Sequence, residues 1–188
     1  MTLPPNTTLS TLTIRRITIH IPQPYDIVLH RFRTLVPPLQ PGILRTQPSA
    51  EAIAQVIHDT NITSDFVRFA EFNHGSWVHH FLPAVSVAES KEEGGRQIHR
   101  FIFGNPVLAA PMVRESVYAA VHVPLDCGFV EEGDGSTTMV MVLPGGLVMG
   151  DGDGDAGEGL ERMGRAVGEV EERVFRLVAK LQDDGVWN

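Results

Sequence analysis

Leu160-Glu-Arg-Met-Gly-Arg-Ala-Val-Gly-Glu-Val-Glu-Glu-Arg-Val-Phe-Arg-Leu-Val-Ala-Lys-Leu181 is the stretch on which the fold class turns. Its apolar residues Leu160, Met163, Val167, Val170, Val174, Leu177, Val178 and Leu181 recur every three or four positions for about six turns, which places them on one face of a helix. Asp155 with Glu158 three residues later reads as a capping box, with Asp in place of the usual Ser or Thr. A helix with one apolar face needs a second layer to bury it. The sequence upstream supplies strands.

Ser136–Leu143 and Val117–Val130 flank the turn-forming run Glu-Glu-Gly-Asp-Gly (131–135) and predict a hairpin. Gln97–Phe103 and Phe66–Asn73 predict two further strands, and the β-branched alternation of Thr11–Ile21 predicts another. Between them, Val28, Phe32, Leu35 and Val36 share one face of a helix that follows Pro24 and ends at Pro37-Pro38. Residues 37–48 hold four prolines and form a loop. Ser49 caps an extra short helix with Ala52, Ile53, Val56 and Ile57 as its apolar positions. Residues 75–96 read mostly as loop, Gly104-Asn105-Pro106 as a turn, Ala109–Arg114 as a short helical piece, and 145–159 as a Gly/Asp loop. Strands joined by hairpins with helices on one face make an α+β, two-layer domain over residues 12–183, between an N-terminal tail (1–11) and a C-terminal tail (184–188).

Composition limits the function. The chain has 188 residues, 43% hydrophobic and 20% charged, enough for one sizeable core. The net charge of −8 and only two lysines argue against nucleic acid as a partner. No apolar run approaches the ~18 residues of a membrane span. Met1–Leu12 lacks the basic and apolar regions of a secretory signal, so a cytoplasmic protein with no membrane partner is expected. The single cysteine, Cys127, excludes an internal disulfide framework and a multi-thiolate zinc site, and in a strand it is a small buried hydrophobe.

Three histidines, His74, His79 and His80, lie close together in a chain of eight. His74 ends a strand, on one face with Phe66, Arg68, Ala70 and Phe72 if alternation holds. It hydrogen-bonds a neighbouring carbonyl, moves protons at a pocket edge, or ligates a metal. Arg100 shares a strand face with Ile98 and Ile102. It either pairs with Glu71 on the neighbouring strand or, with the Asn105 amide, donates to a carbonyl or developing enolate. His99 alternates with Arg100, so at most one of the two faces a given pocket, and His30 points to solvent. Gly164 and Gly168 leave a groove on the last helix, filled by Trp77 or by a ligand. Methionines 139, 141, 149 and 163 are either core or an adaptable pocket wall. The spacing His74-X4-His79-His80 fits no helical metal site, and on a strand the adjacent pair would point to opposite faces. The calcium-like run Asp151-Gly-Asp153-Gly-Asp155 has Ala156 and Arg162 where glycine and a bidentate glutamate are needed. There is no phosphate-binding glycine motif. No cofactor and no metal are expected.

Phe69-Ala-Glu-Phe-Asn-His-Gly75, Arg100-Phe-Ile-Phe-Gly-Asn-Pro106 and Val121-His-Val-Pro-Leu125, in that order, resemble the domain-of-unknown-function family 302, with a resemblance covering about residues 12–182. The wording Asn73-His-Gly-Ser-Trp77 is similar to the fungal branch. Asn73 stands where the family commonly has Asp, His122 where it is usually apolar, and residues 37–48 with the helix after them are extra length. The resemblance implies a β-α-β4-α domain, a curved antiparallel sheet under a long C-terminal helix, similar in outline to the TATA-box-binding-protein and helix-grip folds. Some fungal members resemble chalcone isomerases. On that resemblance the expected function is a cofactor-independent isomerase that closes a ring on a chalcone-like aromatic substrate. His74 takes the phenolic proton and Arg100 polarises the carbonyl, while Glu71, Trp77, His79 and Asn105 bind substrate. The alternative is a non-catalytic small-molecule-binding module with the same cavity. A homodimer is compatible with either.

Overall fold

Alternation along the last hairpin sets the sheet. In the computed structural model, which describes residues 4–61, 64–81, 96–149 and 157–183, β5 (Thr137–Leu143) buries every second side chain and β4 (Leu125–Glu131) does the same up to Phe129. With β1 (Arg15–Ile21), β2 (Val67–Asn73) and β3 (Ile98–Gly104) they form one antiparallel sheet in the order β1-β5-β4-β3-β2. Register puts Ile17, Ile19, Phe101, Phe103, Cys127, Phe129, Met139 and Met141 on one face. That face is the core.

Six helices accompany the sheet among the described residues: α1 (Tyr25–Leu35), α2 (Ala50–Thr60), α3 (Gly75–Val78), α4 (Pro106–Glu115), α5 (Gly145–Val148) and α6 (Glu158–Gln182). The fold is α+β, as expected. The apolar stripe of α6 is buried from Met163 to Leu181. From α1, Phe32 enters the core and packs on Phe101, Phe103 and Phe129, with ring centroids 4.7, 5.6 and 5.0 Å away; each such ring contributes about 1.5–3 kcal/mol by burial. Ser49 caps α2 as expected, its Oγ accepting from Ala52 N–H at 3.2 Å. A second, smaller cluster of Leu39, Ile57 and Val67 binds α2 and the proline-rich loop to β2. That loop is tied to the edge by Leu39 N–H to Arg68 O and Arg68 N–H to Pro37 O, both 2.8 Å.

Four expectations change. Val117–Val121 is a 3-10 helix, because the β3 ladder that would hold it ends at the Phe103–Leu125 pair. The α6 helix starts at Glu158 with Gly157 at its N-cap, so Glu158 takes the first helical position rather than the third, and Asp155 lies outside the described residues. Leu160, in the first turn, is 40% exposed. Parts of both expected loops are helical, at Gly75–Val78, His79–Phe81 and Gly145–Val148. The calcium-like run 151–155 and the C-terminal tail lie outside the described residues.

Candidate functional site

Strand β3 is the ruler along which the candidate residues are spread. At its start, His74 N–H donates to Ile98 O at 2.9 Å and closes the β2–β3 ladder. The chain then turns at Gly75, where a Cβ would lie 2.9 Å from Ile98 N, a clash that favours glycine. Asn73 Oδ1 accepts from Ser76 N–H at 3.1 Å and so starts α3. His79 Nδ1 lies 3.0 Å from Gly75 O. His79 and His80 sit in a helical turn with ring centroids 3.9 Å apart, rather than on opposite faces of a strand. Trp77 does not fill a groove on α6: it is exposed against the His74 ring, while among the described residues Gly164 meets only the end of Met149 and Gly168 meets nothing within 4 Å.

A bulge between Arg68 and Ala70 sorts the charges. It adds one residue, Phe69, so the simple alternation of β2 fails. Arg68 stays on the core face with Glu71, which lies opposite Phe101, while Ala70 and Phe72 take the outer face, Phe72 opposite Arg100. The expected Glu71–Arg100 pair therefore does not form. Glu71 accepts from Arg33 Nε and Nη2 at 3.1 and 2.5 Å and sits 2.8 Å from Arg68 Nη1. Arg100 instead donates to Asp126 at 2.5 Å on the outer face.

On the core face His99 joins the Glu71 group. Its Nδ1 lies 2.8 Å from Tyr25 Oη and its Nε2 3.9 Å from Glu71 Oε1. Burial, then the Arg33 charge, hold the His99 pKa below its usual value, and burial raises that of the Tyr25 phenol. With neutral imidazole, Tyr25 donates to Nδ1 and Nε2–H faces Glu71. Sequence reasoning left His99 and Tyr25 outside the site, since nothing local aims α1 at β3.

The other end of β3 is apolar. Asn105 Oδ1 accepts from Val107 and Leu108 N–H at 2.9 and 3.4 Å, capping α4, and Nδ2 donates to Asp65 O at 2.8 Å. Beside it opens a cavity of about 440 Å³ between β2, β3, α4, α6 and the loop carrying Leu44. It lies at the seam of the two hydrophobic clusters, with Phe66 and Val170 from one and Phe69 and Leu44 from the other. The extra residue of the bulge, Phe69, forms part of its wall. Among the described residues Asn105 is the one polar side chain lining it, and no ionisable one does. Five residues of extended chain, about 17 Å, separate Asn105 from Arg100. His74 and Arg100 line instead a shallow trough on the outer face. The structure thus brings His74 and Arg100 together and keeps Asn105 apart from both.

The same segments identify the family. The pattern described as "Domain of unknown function DUF302" matches residues 44–181, well over half of the chain. The chain belongs to the DUF302 family. The matched region contains β2 to α6, whereas β1 and α1 lie outside it. Among solved structures the chain is similar to "uncharacterized conserved protein DUF302 from Bacillus stearothermophilus", with a TM-score of 0.54 and 13% identity over 88% of this chain and 97% of that one. At that identity the likeness shows the DUF302 fold alone. No curated protein matches the chain.

Proposed function

We propose that this DUF302 chain binds a small, uncharged, aromatic molecule in the cavity beside Asn105. The observation that carries the reading is the described lining: Phe66, Phe69, Leu108 and Met112, with no ionisable group among the described residues and one amide already engaged on both sides. About 440 Å³ is within the range of small-molecule pockets. Aromatic and thioether walls favour a flat, polarisable ring system.

Ring closure of a chalcone-like enone is the catalytic form of this proposal. It needs a base and a carbonyl-polarising donor at the same substrate. The described cavity wall offers no base, and His74 with Arg100 opens on the other side of the sheet. The binding module is therefore the reading the geometry favours.

One titration separates the two. With 2′-hydroxychalcone as probe, the expected result is a saturable shift of its visible spectrum with ring closure no faster than the spontaneous reaction. Ala109→Trp, which fills the cavity, is expected to weaken binding at least about tenfold while thermal unfolding stays cooperative. No shift with this probe or with naphthalene would overturn the proposal. Acceleration that disappears in His74→Ala would replace it with the isomerase.

A further inference from the structure

The outer face of the sheet, away from the start of β2 where α2 packs on Val67, carries features the cavity reading does not use. Register aligns Phe72, Arg100, Gly128 and Val140 in one row across β2, β3, β4 and β5. Gly128 leaves a gap in the middle of that row: a Cβ there would meet nothing nearer than His99 O at 3.9 Å. The gap deepens into a trough of about 300 Å³ whose lining includes His74, Arg100, Asp126 and Val140. Next to it four rings follow one another, Phe72–His74, His74–Trp77 and Trp77–Phe81, with centroids 6.3, 5.4 and 6.1 Å apart. Phe72, Trp77 and Phe81 are 49, 48 and 79% exposed. Single exposed apolar residues are ordinary, but a contiguous run of large rings marks a contact surface.

We propose that this trough is a second binding site, for a pyranose ring of a neutral oligosaccharide. A pyranose has a C–H face and a rim of vicinal hydroxyls that each donate and accept. The floor at Gly128 and Val140 suits the C–H face. At the wall, Arg100 Nη2 holds Asp126 Oδ2 at 2.5 Å, and both side chains remain about half exposed. Each keeps unused capacity, further N–H donors on the guanidinium and further lone pairs on the carboxylate, side by side at one height. The pair is neutral as a unit, which matches an uncharged polyol and gives no net attraction for a phosphate or carboxylate. The exposed rings of Phe72 and Trp77 extend the floor, so that a neighbouring sugar stacks beyond the trough.

The test uses the full chain and four soluble probes, cellohexaose, laminarihexaose, maltohexaose and mannohexaose, in calorimetric titrations with Trp77 fluorescence followed in parallel. The expected result is saturable binding of at least one of them with a Kd of about 1 mM or tighter. Asp126→Ala is expected to weaken it about tenfold. Gly128→Val, which fills the gap on a solvent-facing strand position, is expected to abolish it while leaving the chalcone titration of the cavity unchanged. Absence of binding for all four probes overturns the proposal. So does binding indifferent to both substitutions, or tighter binding of an oligogalacturonate, whose carboxylates contradict the neutral-pair argument. A dimer in sedimentation that Arg100→Glu dissociates would assign this face to a second copy of the chain instead.

Discussion

Asn105 makes three bonds with one amide, two to N–H groups of α4 and one to the Asp65 carbonyl. Asn105→Ala should cost about 2 kcal/mol in urea unfolding, from the lost cap and the orphaned carbonyl together. Asn105→Asp should recover the cap but turn the Asp65 contact into a repulsion between a carboxylate and a carbonyl oxygen. His99 gives a prediction with a sign. It is faced by Tyr25, Asp26 and Arg33 from α1, by Glu71 from β2 and by His74, and its pKa is lowered from 6.5. Below pH 6.5 the unfolded chain therefore binds more protons at this site than the folded one, so stability falls as pH drops through that value and levels once the folded imidazole titrates. Unfolding free energies at pH 8 and pH 5.5 should differ more for the native chain than for His99→Gln. The turn at Gly104-Asn105-Pro106 was legible in the sequence, but the capping role of Asn105 was not, since the helix was expected only from Ala109 and in fact begins at Pro106. Nor were the surroundings of His99, since Tyr25 stands 74 positions away.

At the scale of elements, the period of each segment was readable and its neighbours were not. Periods of 2 and 3.6 identified all five strands, α1, α2 and α6, because each reflects one buried face. The bulge in β2 escaped, and with it the separation of Glu71 from Arg100, because an inserted residue shows only against a partner strand. The Val117–Val121 segment is a short apolar run with β-forming Val and Tyr but has no ladder to join. In α4, Met112 is fully buried and lines the cavity. Met112→Ala should cost about 2–5 kcal/mol, at the low end if the enlarged cavity takes up an apolar probe. The melting temperature with and without 2′-hydroxychalcone measures that difference.

Across the whole molecule, the two ends of the chain are fastened by side chains distant in sequence. Arg31 on α1 donates to Leu181 O and Asp183 O at 2.8 and 2.7 Å, satisfying carbonyls at the end of α6. Glu171 on α6 pairs with Arg15 of β1 and accepts from Gly145 N–H at 3.2 Å. Arg31→Ala should lower stability by about 1.5–3 kcal/mol and speed amide exchange in the last turn of α6 more than in the β4–β5 hairpin. An equal increase at both places would mean that Arg31 acts on global stability alone.

The residues alone were enough for an α+β class with a sheet under a long helix, for the family resemblance, and for the absence of any membrane-length apolar helix among the described residues. These follow from periodicity and short motifs, which are local. The tertiary structure decided where the chemistry lies: His74 and Arg100 on the open face, Glu71 and His99 on the core face, and Asn105 about five strand residues away beside an apolar cavity. Strand register and one bulge made those assignments. Both arise from pairing between segments far apart in the chain, and a one-residue change of register carries each side chain to the opposite face.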